Sequence, residues 1–289
     1  MKKYILLMFL LFFTFGLLAA CSSNEESSGN QTDQTTEENS QSNEQANESK
    51  EQDQATESED GTVYTVATDS NFVPFEFQNP DTGEMEGFDI ELIEALAKEA
   101  GVEIEFETLE FSGLIAGMES GRFEIGIAGI TITDERMEKI DFSDPYYDAG
   151  LITVVQTDNE DISSMDDLSG KKVATRTGST SYDYLIENYP DAEVIPFEGI
   201  VEAYMELRSG RVDAVVYDSP NAKYYVNENS DGSLKVVGDI VEAQQYGIAF
   251  KQGSELVDAF NKALAKFKED GTYDDIYEKW FGERPFGTN

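Results

Sequence analysis

Seven short stretches of the chain concentrate charged groups, aromatic rings and glycines. They are Asp69-Ser70-Asn71-Phe72-Val73-Pro74-Phe75-Glu76-Phe77, Gly87-Phe88-Asp89, Phe111-Ser112-Gly113, Ala128 through Arg136, Asp141 through Tyr147, Tyr217-Asp218-Ser219-Pro220-Asn221, and Glu242 through Phe250. Catalysis at these places would need a general acid or base poised near neutrality. Asp69 and Glu76 are the candidates, and neither has a histidine, a metal-ligand cluster or an activated nucleophile beside it in sequence. The chain contains no histidine at all, which removes every mechanism that needs imidazole as base or metal ligand. Its one cysteine, Cys21, has no partner for an internal disulfide and precedes a segment too polar to form a site around it. These residues by themselves leave binding and catalysis both open.

The elements that must position these stretches alternate. Residues 63–67 read as a strand. Residues 89–100 read as a helix, with Leu92, Ile93, Leu96, Ala97 and Ala100 on one face and Gly101 ending it. Val102, Ile104 and Phe106 alternate with glutamates, the period of a half-buried strand. Residues 113–120 are expected to be helical and 123–128 a strand. A strand at 172–175 leads through a glycine turn to a helix near Tyr182. A helix at 201–209 feeds a strand at 212–217, and helices at 257–268 and 272–280 close the chain. Strand–helix–strand alternation predicts an α/β fold of parallel sheets covered by helices. Ligands of such sheets bind beyond the carboxyl ends of the strands, where Asp69, Phe72, Phe111, residues 129–136 and Asp218 fall.

Taken together and in order, the seven stretches resemble the glutamine-binding proteins of bacterial amino-acid ABC importers, within the family 3 extracellular solute-binding proteins. The likeness runs over nearly all of residues 63–282. It implies a two-lobed periplasmic-binding-protein-like fold of type II, with a two-strand hinge near 148–150 and 244–245. Lobe one would comprise 61–147 and 246–289, and lobe two 151–243. It also implies a role for each site residue. Arg136 matches the arginine that holds the ligand carboxylate, helped by the N–H and hydroxyl of Thr131. Asp218 matches the partner of the ammonium, with the Gly129 carbonyl, next to Ala128, as a second acceptor. Phe72 and Phe111 match the rings that sandwich the aliphatic stem, and Asp69 the acceptor for a side-chain amide. Three positions depart from the pattern: Arg176 stands for a lysine, Thr180 for a glycine and Tyr217 for a histidine. Each residue alone has a plainer reading: Arg136 as a solvated arginine in a first helical turn, Asp218 and Asp69 as turn residues, the phenylalanines as core.

The resemblance implies capture of L-glutamine between the lobes and delivery to a membrane permease, with no chemistry done on the ligand and hence no cofactor and no metal. Asp69 speaks against glutamate and Arg176 for it, and for arginine the signs reverse, so glutamate, asparagine and arginine stay open as ligands. A ligand-sensing role and a dehydratase-like or wall-hydrolase-like enzyme are the rival classes. Lys2, Lys3 and an apolar run to Leu18, then Ala19-Ala20-Cys21, have the layout of a secretory signal over 1–20. The small residues before Cys21 resemble a lipobox, which implies lipid on that cysteine and an extracytoplasmic protein anchored to the cell membrane. A transmembrane anchor would want about 20 apolar residues and a basic stop. Residues 21–60 are polar and acidic with Lys50 their only basic residue, the composition of a disordered tether with a reach of roughly 35 Å. A net charge of −39 argues against nucleic acid and anionic lipid as partners. The expected particle is a monomer.

Overall fold

The structure is a computed structural model and describes residues 62–285. The signal, Cys21 and the tether lie outside the described residues. The chain opens with β1 (Val63–Thr68) and a small antiparallel sheet of β2 (Asn71–Phe72), β3 (Glu76–Gln78) and β4 (Met85–Glu86). Helix α1 (Phe88–Ala100) follows, with Leu92, Ile93, Leu96 and Ala97 buried on one face and Gly101 left-handed at its end. Beyond it come β5 (Glu103–Thr108), α2 (Phe111–Glu119), β6 (Ile125–Gly126), the single turn α3 (Asp134–Met137) and β7 (Ile140–Phe142).

Strand β8 (Tyr147–Gln156) leads into a second α/β unit. It comprises β9 (Lys172–Arg176), α4 (Thr180–Asn188), β10 (Glu193–Phe197), α5 (Ile200–Arg208), β11 (Ala214–Asp218) and α6 (Ser219–Tyr224). The long strand β12 (Leu234–Tyr246) returns, and β13 (Ala249–Lys251), α7 (Leu256–Asp270) and α8 (Thr272–Phe281) complete the chain. The first sheet has the order β5-β1-β6-β13-β7 and the second β10-β9-β11-β8-β12.

Neither sheet is purely parallel, which corrects the expectation drawn from alternation. Strands β1, β5 and β6 run parallel, as do β9, β10 and β11. The strands beside them, β13 with β7 and β8 with β12, run antiparallel. The cause is topological. A chain that crosses from one sheet to the other and comes back must return against its own direction. Tyr147 therefore pairs with Tyr246, Asp148 with Gln245 and Ala149 with Gln244. Strand β6 is also shorter than the expected 123–128. After Ile127, whose N–H still bonds Ala67 O at 3.0 Å, Gly129 turns away with φ +54°.

One apolar core runs without interruption from α1 and β1 through Phe72, Phe75, Tyr246 and Tyr217 to Tyr204 and Leu207 under the second sheet. Polar contacts cross between the two units as well: Asn221 Nδ2 donates to Val73 O at 2.7 Å and Ser112 Oγ to Glu198 Oε2 at 3.1 Å.

Candidate functional site

Thr133 caps α3, its hydroxyl accepting from Arg136 N at 3.2 Å, and this turn directs the arginine inward. Arg136 is 7% exposed, so it is not the solvated arginine of a first helical turn. Its Nη1 donates to Thr131 O at 2.8 Å and its Nη2 reaches Gly178 O of the second unit at 3.2 Å. Burial lowers its pKa, opposed by Asp183 and then Asp218. A guanidinium stays charged under such a shift, so Arg136 is a desolvated cation held between the two units.

Asp218 ends β11 and leads into α6, with Pro220 in that helix's first turn. Its Oδ2 accepts from Tyr246 OH at 2.5 Å. Its Oδ1 is buried with no hydrogen-bond partner among the described residues. Burial pushes the carboxyl up to about 6 against the pull of Tyr246, Arg136 and Arg176. A buried acceptor that its own fold leaves unmatched suits a cationic donor from outside.

Ala128 and Gly129 form the turn beyond β6. Gly129 is required there: its φ is +54°, and a Cβ would lie 2.4 Å from the Phe72 ring. Its N–H donates to Asp89 Oδ2 at 2.8 Å, the oxygen that also accepts from Tyr146 OH at 2.7 Å. Phe72 is 1% exposed, stacks on Phe75 at 5.0 Å and meets Tyr217 and Tyr246 edge-on. Its ring is therefore part of the core as well as a neighbour of the Gly129 turn.

Asp69 and Arg176 come together across the two units. Both side chains are fully buried, and Arg176 Nη2 meets Asp69 Oδ2 as an ion pair. Arg176 Nε donates to Glu198 O at 3.1 Å, while Nη1 has no aligned partner among the described residues. Burial opposes the Arg176 charge, yet Tyr217 and Asp69 hold its pKa above the ordinary value. Its guanidinium lies 4.8 Å from the centroid of the Phe111 ring, and that of Arg136 lies 5.7 Å away. Phe111, the first residue of α2, thus presents its ring to two cations. Thr180 Oγ1 and Thr131 Oγ1 both bond Gln244, at 3.0 and 3.3 Å, so these hydroxyls tie the two units to the returning strand. The cleft that opens on Thr131, Arg136, Gly178, Thr180 and Gln244 encloses about 590 Å³.

Tyr246 and Asp89 carry no role in the sequence reading of the site, while Gln244 enters it only at the hinge and Glu76 only as a candidate acid or base. Glu76 is fully buried, and burial followed by Asp89 and Asp69 raises its pKa well above the usual carboxylate range. The available signal was the polar residue set inside an apolar run, Glu76 between Phe75 and Phe77, and Asp89 after Phe88.

Comparison with known proteins gives the same outline. The family model for bacterial extracellular solute-binding proteins, family 3, matches residues 64–283. The L-cystine-binding protein TcyJ of Escherichia coli (strain K12) is 37% identical over 219 residues, 75% of this chain and 82% of that protein. The ABC transporter glutamine-binding protein GlnH of Bacillus subtilis (strain 168) is 37% identical over 231 residues, 78% of this chain and 83% of that one. Among solved structures, an ancestral arginine-binding protein bound to glutamine superimposes with a TM-score of 0.72 at 46% identity, covering 76% of this chain and 98% of that one. One bound to arginine gives a TM-score of 0.73 at the same identity and coverage. The chain belongs to the bacterial extracellular solute-binding proteins of family 3. Membership answers the enzyme alternative: this is a binding protein with the two-lobed fold of its relatives.

Proposed function

We propose that this solute-binding protein is the substrate-binding component of an amino-acid ABC transporter and that its ligand is L-glutamine, held between the lobes formed by 61–147 with 246–289 and by 151–243. The observation that carries the reading is the pairing of buried charges. Arg136 and Asp218 supply one cation and one anion for the two charges of a zwitterion. Arg176 and Asp69 cancel each other in the second couple. A side chain that carries no net charge but has both an amide donor and a carbonyl acceptor suits such a couple: Asp69 accepts from the amide and Arg176 donates to the carbonyl. Arginine as ligand would bring a second guanidinium beside Arg176, and glutamate a second carboxylate beside Asp69.

In this reading Arg136 takes the α-carboxylate in a bidentate grip. Asp218 and the Gly129 carbonyl take the ammonium. Contacts from both lobes stabilise the closed state, so the ligand shifts an open–closed equilibrium. The closed form docks on a permease in the membrane. Lipid at Cys21 anchors the monomer outside the cytoplasm, with 21–60 as tether. Calorimetric titration of the mature protein, refolded from denaturant to strip bound ligand, tests the assignment with L-glutamine, L-glutamate, L-asparagine, L-arginine and L-cystine. Tight one-to-one binding of glutamine is the expected result. Silence for glutamine with tight binding of another amino acid would move the substrate and indict Arg176, Thr180 and Tyr217.

A further inference from the structure

Tyr246 occupies a place in the site that no sequence motif assigned to it. It is fully buried at the end of β12, where the chain re-enters the first unit. Its backbone bridges to Thr131, and its carbonyl accepts from Tyr146 N at 2.9 Å. Its neighbours on either side also bond the arginine-bearing loop, Gln245 O accepting from Ile132 N and Gly247 N donating to Ile130 O. The ring is locked between Tyr147, Phe75 and Phe72. From this fixed frame its hydroxyl crosses to the second unit and donates to Asp218 Oδ2 at 2.5 Å.

That bond fixes two properties of the carboxylate at once. Oδ2 already accepts this donor and Oδ1 accepts none among the described residues, so Oδ1 is the freer oxygen to accept from a ligand. A donor on a carboxylate also favours the charged form. Asp218 has burial against it, and the groups that face it are Arg136 on α3, Arg176 on β9, Tyr217 beside it on β11, Tyr204 on α5 and Tyr246 itself. After burial, the bond from Tyr246 is the strongest influence on its titration, and it acts to keep the group ionised.

We propose that Tyr246 is the positioning residue of the ammonium subsite: by tying Asp218 Oδ2 to the strand that crosses between the two units, it orients the carboxylate so that Oδ1 is left for the ligand. The inference rests on the reading of Asp218 as the ammonium acceptor. Removing the hydroxyl while keeping the ring leaves the aromatic packing in place, so Tyr246→Phe isolates the bond.

The test is glutamine affinity by calorimetry from pH 5 to pH 8, a range in which the ligand stays a zwitterion, for the mature protein, Tyr246→Phe and Asp218→Asn. In the unchanged protein affinity falls as pH drops through the Asp218 titration. In Tyr246→Phe, loss of a charge-assisted bond moves that fall to higher pH by about one unit and weakens binding at pH 8 by about tenfold. Titration of Asp89 is common to both proteins and cancels in the comparison. An unshifted profile for Tyr246→Phe, with affinity lost equally at every pH or not at all, overturns the proposal, because a merely structural tyrosine has no reason to move the midpoint. Asp218→Asn separates the two levels. If it binds glutamine as tightly as the unchanged protein, the reading of the site fails. If it loses binding while Tyr246→Phe keeps the original profile, only the role of Tyr246 fails.

Discussion

Replacing Arg176 by methionine keeps an unbranched side chain of similar reach and removes the charge. Asp69 is then left fully buried without its cation. Breaking a buried ion pair from one side costs about 3–5 kcal/mol. The pair joins the two units, so that cost falls on the closed state, where Asp69 is dry, and much less on an open one, where water reaches it. Glutamine binding draws on closure and should weaken by about 10²- to 10³-fold. Arginine behaves in the opposite way. In the native protein its guanidinium would meet that of Arg176 over the Phe111 ring, where Arg176 already sits at 4.8 Å. In Arg176→Met the ligand can itself neutralise Asp69 and stack on Phe111, a cation–π contact of about 0.5–2 kcal/mol. The preference between the two amino acids should therefore invert. Calorimetry with glutamine and arginine on both proteins measures it directly. Two results would refute the reasoning: native protein that binds arginine as tightly as glutamine, or an Arg176→Met variant whose glutamine affinity is unchanged.

Other expectations concern the remaining charges. Arg136→Ala or Asp218→Ala strands the opposite charge of a bound zwitterion, costs about 3–5 kcal/mol of binding, and should abolish measurable glutamine heat at micromolar protein; near-native affinity in either variant would contradict the site. Acid should act on stability and on affinity with opposite signs. Asp89 and Asp218 have folded values of about 6 against 3.8 for the unfolded chain, and burial is the first cause in each. A carboxyl raised on folding gives stability that is full below the unfolded value and is lost as pH rises through the folded one. The ligand-free protein should thus melt at higher temperature at pH 5 than at pH 8, while glutamine affinity falls over the same descent; melting that is lowest at pH 5 would count against the buried carboxyls as drawn. Cys21→Ser should release the protein from membranes and abolish labelling with radioactive palmitate, and a variant that still labels would exclude Cys21 as the lipid site.

Legibility in the sequence followed the physics of each feature. Helix α1 was readable because its apolar face repeats at helical spacing and Gly101 stops it in a left-handed turn. The two closing helices were readable for the same reason. The antiparallel returns of β12 and β13 were not, because direction in a sheet depends on where a strand comes from and leaves no periodicity. The charged residues at strand ends stood out as candidates, since Asp69, Arg136 and Asp218 each interrupt an apolar or turn-forming context. Their pairing did not. That Arg176 meets Asp69 is a contact over more than a hundred residues between the two units, and charge counting leaves its sign open. Tyr246 was illegible for a further reason. A tyrosine inside an apolar strand reads as core, which it is, and only the position of its hydroxyl at Asp218 reveals the second task.

In the proposed reading, the pairing also explains how so acidic a protein can select a neutral side chain. At −39 the whole chain attracts cations and repels anions at long range. Arginine or lysine would be drawn to it more strongly than glutamine, so steering alone would favour the cationic amino acids. Salt screens that long-range field over about 10 Å, but buried contacts are screened far less. Discrimination therefore has to come from the short-range couple. A guanidinium supplied by the protein pairs with the buried Asp69 before a cationic ligand can claim it. In this reading the interior carries its own counter-ion at the place where the acidic exterior would otherwise dictate the choice.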